Sequence, residues 1–366
     1  MKKVLLIVLL WLLIVNVFGF VALNRFNLTP DTAYKWITPQ GFPTAQSWDA
    51  VDMHNRWDSY WYLDIVKNGY YVRTDNTLSN VAFFPLYPAL IKIVGTILLG
   101  NFVLAGWLMS MGFLLLACTY FYKFLKEFHP KVDPELPILL MLVFPTAFFF
   151  NIVYTESLFL FLTLVTFFYA FKKQFWLAGV FALFGALTHS NGIFLALPIV
   201  WKIWEAYGWK SAFSAKIIPV LFPIVATAGV FAYSALKFHN LFLFFNLESA
   251  WGRSFKLNME HFIFFSHPAI VNFAIDLFFT ILIITVIVLV WKKLSALYAI
   301  FMSLTVLAAL TSGTLMSIGR YSLVLFPMFI LLATVKNKNF QYAWIFTSTL
   351  FLAMDIMLFV NNYWAG

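Results

Sequence analysis

Residues 1–24 read MKKVLLIVLLWLLIVNVFGFVALN, two lysines followed by one long apolar run. The run has about the 20 residues that an α-helix needs to cross the hydrocarbon core of a bilayer. It is longer than the apolar part of a signal peptide, and no A-x-A cleavage site follows it. We therefore interpret it as an uncleaved signal anchor, the first transmembrane helix of the chain.

Runs of the same kind recur to the end of the sequence. The 366 residues are 63% hydrophobic and 11% charged, with a mean hydropathy of +0.87. A soluble core cannot absorb so much apolar surface, and a disordered chain would not carry it. We predict one all-α domain over 1–366, a polytopic bundle of about 11 transmembrane helices. The predicted spans are 4–23, 102–122, 136–152, 156–171, 175–188, 192–207, 217–238, 271–291, 295–315, 320–335 and 341–360.

Basic residues indicate which side of the membrane each loop faces, because cytoplasmic loops collect lysine and arginine. The run 81–100 carries Lys92 in its middle, so we place it on or dipping into the outer surface. With the N-terminus inside, 14 of the 24 basic residues then fall in inner segments. They are Lys2, Lys3, Lys123, Lys126, Lys131, Lys172, Lys173, Lys202, Lys210, Lys216, Lys292, Lys293, Lys336 and Lys338. Two long loops lie outside in this topology, 24–101 with interfacial helices and 239–270.

Two classes of site are excluded by composition. The net charge of +9 does not indicate nucleic-acid binding, since the chain has no basic domain to carry it. Cys118 is the only cysteine and lies in an apolar run, which excludes disulfides and cysteine-based metal sites. Chemistry is expected instead from the polar residues that the topology gathers on the outer side.

The segment HNRWDSYWYLD (54–64) concentrates acidic and aromatic residues in the first outer loop. We predict an amphipathic helix over 48–67, ended by Asn68-Gly69 and lying along the membrane interface. Two of its faces carry side chains at i, i+4 spacing. They are Trp57, Trp61 and Ile65 on one face and His54, Asp58 and Tyr62 on the other.

Three interpretations of this helix remain open from the residues alone. It could be an aromatic belt that anchors the chain at the interface, with solvated carboxylates. His54 and Asp58 could form an i, i+4 metal pair. Asp58 could also be a general base held against an aromatic wall.

Further polar residues stand at the outer ends of predicted spans. AFFPLYPALI (82–91) holds Tyr87 between two prolines that fix the backbone. Glu156 stands at the mouth between two spans, where it would also favour a helix N-terminus. THSNG (188–192) reads as a polar turn. Arg320 and Tyr321 begin a span on the side where lysine is scarce, so Arg320 either reaches lipid phosphate or binds a phosphate-bearing substrate.

The order of these motifs resembles that of the PIG-V type mannosyltransferases of the GT-C superfamily. The resemblance rests on RWDSYWYLDIVKNGY (56–70), AFFPLYP (82–88), FPTAFFFNIVYTESLF (144–159), SAWGR (249–253) and RYSLVLFP (320–327). It covers about residues 50–330. It implies a GT-C bundle whose first outer loop carries the catalytic acid, and donors that are polyprenyl-phosphate sugars presented from the outer leaflet. The chain is similar to prokaryotic-type members.

The resemblance implies a hexosyltransferase, with mannose as the expected sugar, that inverts the anomeric centre. Asp58 would be the general base for an acceptor hydroxyl. Arg320 and Arg253 would bind the donor phosphate. Trp57 and Trp61 would stack on the sugar or hold the loop, and Glu156 would fix the acceptor or a group next to it. The remaining predicted substrate-binding residues are His54, Tyr62, Tyr87, Trp251 and Tyr321. No metal ligands are assigned, and a divalent cation is left open as a cofactor.

Two other classes of function remain to be distinguished. A transporter or flippase of lipid-linked sugars would show inverted repeats and midplane charges. We find no internal repeat, and of the acidic residues only Asp276 and Asp355 fall inside spans rather than at their ends. A non-catalytic subunit could keep the bundle without the chemistry. The expected partners are a lipid-linked sugar donor, membrane lipids and an acceptor that is a glycolipid, glycan or protein. The expected location is the plasma membrane if the source is prokaryotic, or the ER membrane if eukaryotic.

Overall fold

A computed structural model describes residues 1–25, 50–73, 79–208, 210–211, 214–248, 270–311 and 313–365. Within these ranges every regular element is helical. The α-helices are α1 (Lys2–Arg25), α2 (Ser59–Asn68), α3 (Leu86–Ile97), α4 (Phe102–Phe128), α5 (Glu135–Leu142), α6 (Glu156–Phe171), α7 (Phe175–Thr188), α8 (Ala196–Tyr207), α9 (Ile218–Phe238), α10 (Leu243–Glu248), α11 (Ile270–Lys293), α12 (Ala296–Leu310), α13 (Ile318–Tyr321), α14 (Phe326–Ala333) and α15 (Lys338–Val360). The predicted all-α class is confirmed for the described residues.

The long helices make the chain an integral membrane protein. In the described part, 5 helices are long and apolar enough to cross a membrane by length and composition, or 6 if one bent pair counts as a span. The five are α1, α4, α9 with the turn before it, α11 and α15, which coincide with predicted spans. Large apolar side chains on their outer faces are exposed, including Leu13, Val271 and Phe346. The count of about 11 spans stays a prediction.

The core lies where the shorter helices are enclosed by the long ones. Helix α6 is buried along nearly its whole length and packs against α4 and α7. Phenylalanine supplies most of the filling, as in Phe124, Phe167 and Phe326, whose rings meet edge to face. Such offset aromatic packing stabilises the bundle through van der Waals contact. This matters in a bilayer, because helices already surrounded by apolar lipid gain little from the hydrophobic effect when they associate. The site described below stands at one end of this core.

Two predicted spans are broken at prolines. Over 136–152, α5 ends at Leu142 and a 3₁₀ helix follows over Pro145–Asn151, joined to α6 by a bend of 94°. Over 320–335, α13, a 3₁₀ turn and α14 replace the single predicted helix, and Pro327 stands in the first turn of α14. The residue before a proline avoids helical geometry, and proline itself cannot donate the backbone hydrogen bond that would continue the helix. Continuous helices were therefore the wrong prediction for both segments.

The predicted interfacial helix over 48–67 is also shorter than expected. Residues 48–49 lie outside the described ranges, a 3₁₀ turn covers Asp52–His54, and α2 begins only at Ser59. Trp57 has a φ of 53°, in the left-handed region that non-glycine residues rarely adopt, and this reversal separates the turn from α2. The predicted C-terminal stop is confirmed, with Gly69 capping α2 at a φ of 71°. Helix α3, at 12 residues, is too short to cross a bilayer alone.

Candidate functional site

Three charged side chains from distant segments meet at one end of the core. Arg320 Nη1 donates to Asp58 Oδ2 at 2.8 Å, and Arg320 Nε lies 3.3 Å from Glu156 Oε1. All three side chains are largely buried: the exposed fraction is 9% for Arg320, 16% for Asp58 and 10% for Glu156. One guanidinium between two carboxylates gives the cluster a formal charge of −1. We call these three residues the acidic cluster.

Aromatic rings surround the guanidinium of the acidic cluster. Four rings lie 5.3 to 5.5 Å from Arg320 Cζ, close enough for cation–π attraction. They belong to Phe149, Tyr154, Tyr321 and Trp364. Such rings keep water away from the ion pairs, and the lower local dielectric strengthens them.

A cavity of about 100 Å³ opens beside the acidic cluster. Asp58 and Arg320 line it directly, whereas Glu156 lies behind Arg320. The rest of the lining comes from six regions of the chain. It consists of Trp57, Tyr62, Ala82, Phe83, Phe84, Thr188, His189, Ser190, Phe244, Met316, Ser317, Tyr321 and Trp364. A cavity with aromatic walls and a few convergent polar groups is typical of a small-molecule site.

The local backbone that presents Asp58 is held by specific contacts. The Asp58 amide donates to the Tyr154 hydroxyl at 2.9 Å, and Arg56 Nε donates to the Val360 carbonyl at 3.3 Å. Two residues in the cavity wall, Trp57 and Ser317, have left-handed φ values of 53° and 69°. Strained backbone of this kind persists where surrounding contacts impose it, and it concentrates at functional sites.

Several predicted site residues take their places around the cavity. Trp57, Tyr62 and Tyr321 line it together with Asp58 and Arg320. The Tyr62 hydroxyl lies 3.4 Å from Thr155 Oγ1, and burial raises the pKa of this phenol well above its usual value. Tyr62 is therefore a neutral hydrogen-bonding group at neutral pH rather than a proton acceptor.

His54 lies away from the cavity, contrary to the predicted shared face with Asp58. Its Nδ1 contacts the Val51 carbonyl at 3.0 Å, its Nε2 contacts Asn16 Oδ1 at 2.7 Å, and its ring stacks on Trp107 at 4.2 Å. Burial lowers the pKa of His54 to about 4. The cause of the error is the break at Trp57, which turns the two side chains in different directions. The i, i+4 metal pair of His54 and Asp58 is therefore wrong.

Trp61 and Tyr87 are structural in this arrangement. Both side chains are fully buried and neither lines the cavity. Trp61 stacks against Phe83, which itself forms part of the wall. The Tyr87 hydroxyl bonds the Ser110 hydroxyl at 2.8 Å and the Gly106 carbonyl at 3.0 Å. The position of Trp61 agrees with its predicted alternative role of holding the loop and not with stacking on a sugar in this cavity, and Tyr87 does not reach the cavity as a substrate-binding residue would.

The predicted phosphate-binding Arg253 and the neighbouring Trp251 lie outside the described residues. Ten of the fifteen residues that line the cavity were not predicted as site members, and His189 and Trp364 are two of them. His189 was interpreted as part of a polar turn, and its neighbours Ser190 and Asn191 were the signal available in the sequence. Trp364 lies in NNYWAG (361–366), directly after the last predicted span. A tryptophan at such a position is typical of an anchor at the membrane interface, so the sequence does not distinguish it as a site residue.

The two carboxylates of the acidic cluster are ion-paired with the same guanidinium. Among the described residues, no group of three or more His, Cys, Asp or Glu side chains is placed to hold a metal ion. Arg320 occupies the space between the two carboxylates that a cation would otherwise share. The arrangement can accept a proton at Asp58 while Arg320 and Glu156 remain paired.

No protein family and no curated protein matches the sequence. Among solved structures, the crystal structure of the Archaeoglobus fulgidus oligosaccharyltransferase in complex with zinc and sulfate is similar, with a TM-score of 0.43 and 12% identity. The alignment covers 97% of this chain and 53% of the oligosaccharyltransferase. The chain thus spans about half the length of that enzyme.

Proposed function

We propose that the protein is a membrane glycosyltransferase that moves a hexose from a polyprenyl phosphate to an acceptor hydroxyl. The observation that carries the proposal is the acidic cluster, in which Asp58, Glu156 and Arg320 meet beside a cavity. These residues come from RWD, YTES and RY, three motifs on which the resemblance to PIG-V type mannosyltransferases rests. Motifs separated by up to 262 positions thus share one site.

The proposed reaction is a single displacement at the anomeric carbon. The acceptor oxygen attacks that carbon while Asp58 takes its proton, and the carbon–oxygen bond to the phosphate breaks. The bonding electrons leave with the polyprenyl phosphate, which needs no acid to depart because phosphate is a good leaving group. One carboxylate is then sufficient, unlike the pair required for glycoside hydrolysis. The anomeric configuration inverts.

Arg320 has a different main role in this proposal from the one the sequence indicated. Because it is paired with two carboxylates, it carries little net attraction for a phosphate and instead orients Asp58. The ion pair engages Oδ2 of Asp58, so the proton can go to Oδ1. Protonation of Asp58 takes the cluster from a formal charge of −1 to zero. The site therefore loses negative charge as the departing phosphate gains it, which favours the transition state.

The remaining parts of the proposal rest on the sequence. The resemblance supplies the polyprenyl-phosphate donor, mannose as the sugar and the GT-C architecture. The distribution of lysine between the loops supports an extracytoplasmic location for the acidic cluster. A flippase would also bind the donor, so the proposal is tested by bond cleavage rather than by binding.

The test follows release of polyprenyl phosphate from radiolabelled polyprenyl-phosphate mannose. Purified protein in lipid nanodiscs is incubated with the donor and with a total lipid extract of host membranes as acceptor. Asp58→Asn should reduce product formation by about 10²- to 10⁴-fold, because general-base catalysis contributes that much. The matched control is Asp133→Asn, an exposed carboxylate far from the cavity in sequence. Turnover by Asp58→Asn within tenfold of the control would reject Asp58 as the base. Movement of the donor across the bilayer of proteoliposomes, without cleavage, would reject the enzyme.

A further inference from the structure

One buried tyrosine contacts both partners of the ion pair between Asp58 and Arg320. The backbone N–H of Asp58 donates to the Tyr154 hydroxyl at 2.9 Å, and the Tyr154 ring centre lies 5.5 Å from Arg320 Cζ. The Tyr154 side chain is fully buried and does not line the cavity beside the acidic cluster. It therefore does not touch a substrate held in that cavity, and any effect it has on a reaction there must act through its neighbours.

The Tyr154 hydroxyl bridges the backbone on both sides of Trp57. It accepts from the Asp58 N–H, and it donates to the Arg56 carbonyl at 3.4 Å. A phenol hydroxyl can do both at once, because it carries one proton and two lone pairs. Trp57 between these two groups has a φ of 53°, a left-handed conformation that a non-glycine residue rarely adopts. The hydroxyl thus bonds the two peptide groups whose relative orientation this strained residue sets.

The two hydrogen bonds of this hydroxyl differ in what depends on them. The Arg56 carbonyl also accepts from the Ser59 hydroxyl at 2.7 Å and from the Ser59 backbone N–H at 3.2 Å. The Asp58 N–H has Tyr154 as its acceptor and no second one in the described part of the chain. Removal of the hydroxyl therefore leaves the carbonyl satisfied and deprives the Asp58 N–H of its partner. The peptide group that carries the carboxylate residue is the one set free.

The ring of Tyr154 is itself held by three other rings. Its centroid lies 5.1 Å from that of Phe149 and 6.2 Å from those of Tyr62 and Phe359. These three residues belong to separate segments of the chain, so the phenol is fixed by the core and not by the segment it bonds. A hydroxyl held in this way defines the position of the Asp58 backbone and does not follow it.

A second contact joins the same two segments without the hydroxyl. The Val153 N–H donates to the His54 carbonyl at 3.2 Å. The bend that carries Tyr154 is thus bonded to the 3₁₀ turn before α2 by a backbone group that no substitution at 154 removes. Loss of the hydroxyl should leave the segment docked and change how it presents the Asp58 side chain. Positioning can therefore be measured separately from folding.

We propose that Tyr154 is a positioning residue for the reaction, whose hydroxyl fixes the Asp58 carboxylate beside Arg320 at the cavity wall. The inference rests on the proposed function, in which Asp58 takes the proton of the acceptor hydroxyl, and it adds the residue that sets where this base stands. A general base must lie within about 2.6–3.2 Å of the group it deprotonates. A misplacement of about 1 Å can lower a rate by about 10²-fold. The Tyr154 hydroxyl therefore contributes to kcat and not to substrate binding.

Tyr154→Phe tests the hydroxyl alone, because it keeps the ring beside Arg320. Tyr87→Phe is the matched control. Tyr87 is also fully buried and outside the cavity lining, and its hydroxyl also makes two hydrogen bonds, with the Ser110 hydroxyl and the Gly106 carbonyl. Both variants are purified in nanodiscs. Their thermal unfolding midpoints are measured beside wild type, and kcat and KM for radiolabelled polyprenyl-phosphate mannose are measured well below those midpoints.

Tyr154→Phe should lower kcat by about 10- to 100-fold and leave KM close to the wild-type value. Tyr87→Phe should lose a similar amount of stability, since it also removes a buried hydroxyl, and keep kcat. Each substitution is then combined with Asp58→Asn, which keeps the backbone N–H and removes the base. Because Tyr154 acts through that base, Tyr154→Phe should not lower the residual turnover of Asp58→Asn any further.

Equal kcat values for Tyr154→Phe and Tyr87→Phe would overturn the role of Tyr154 and leave the proposed function intact. A loss in the Asp58→Asn background as large as the loss in wild type would overturn it too, because the hydroxyl would then act on the fold and not on the base. Where that residual turnover is too low to measure, the comparison of kcat with Tyr87→Phe decides. If wild type does not cleave the donor, the proposed function itself fails and this inference with it.

Discussion

Replacement of Arg320 by glutamine tests whether the acidic cluster is an energetic unit. The substitution removes the counter-charge of Asp58 and Glu156, whose side chains are 16% and 10% exposed. Removing one partner of a buried ion pair typically costs about 3–5 kcal/mol, because the remaining charge is left unpaired. Asp58 retains some contact with solvent, so we expect a loss of about 3 kcal/mol for Arg320→Gln, at the lower end of that range.

The companion variants show whether the loss arises from the pairing. Glu156→Gln keeps a neutral acceptor near Arg320 and should cost only about 1 kcal/mol. The double variant should lose about 1–2 kcal/mol less than the sum of the single losses, since neutral glutamine at 156 no longer needs the guanidinium. Lys172→Gln is the control. It breaks an ion pair of 3.0 Å with Glu127 that is about a third exposed, and should cost less than about 1 kcal/mol.

The assay is equilibrium unfolding by sodium dodecyl sulfate in mixed micelles, followed by tryptophan fluorescence. It gives free energies of unfolding for the wild type and all four variants under the same conditions. A loss for Arg320→Gln no larger than that for Lys172→Gln would refute the reasoning. Strict additivity in the double variant would refute it as well, because it would mean that Arg320 and Glu156 do not interact.

Two further predictions concern residues around the site. Because burial lowers the pKa of His54 to about 4, below its value of 6.5 in the unfolded chain, acidification from pH 6.5 towards 4 should progressively remove stability, by up to about 3 kcal/mol. His54→Phe, which can keep the stacking on Trp107, should lose this pH dependence in thermal unfolding. Gly192→Ala should cost about 1–3 kcal/mol because of its backbone clash, whereas Gly112→Ala, with open space around it, should be neutral or slightly stabilising. Equal unfolding midpoints for the two alanine variants would contradict the tight turn at His189.

The sequence alone was sufficient for the long helices. Segments such as 4–23, 102–122 and 271–291 are so long and so apolar that a helix with all backbone groups bonded internally is the only structure a membrane tolerates. It also identified Asp58, Glu156 and Arg320 as candidates. Asp58 stands in the acidic and aromatic segment 54–64, Glu156 and Arg320 stand at the outer ends of predicted spans, and all three belong to motifs on which the resemblance rests. Apolar length and scarce charge are local properties, so they can be read without knowledge of the fold.

Tertiary structure decided where the helices break and which of those polar side chains meet. Residues in 136–152 and 320–335 are apolar on every face, so no periodicity marks the breaks, and a proline alone does not fix the angle that follows. No glycine or proline in the sequence indicates the reversal at Trp57. The residues on either side of it are held by distant contacts, Asp58 by Tyr154 and Arg56 by Val360. The reversal directs His54 into the core and Asp58 to Arg320, 262 positions away. Contacts across such separations depend on the packing of the whole bundle, which no local pattern contains.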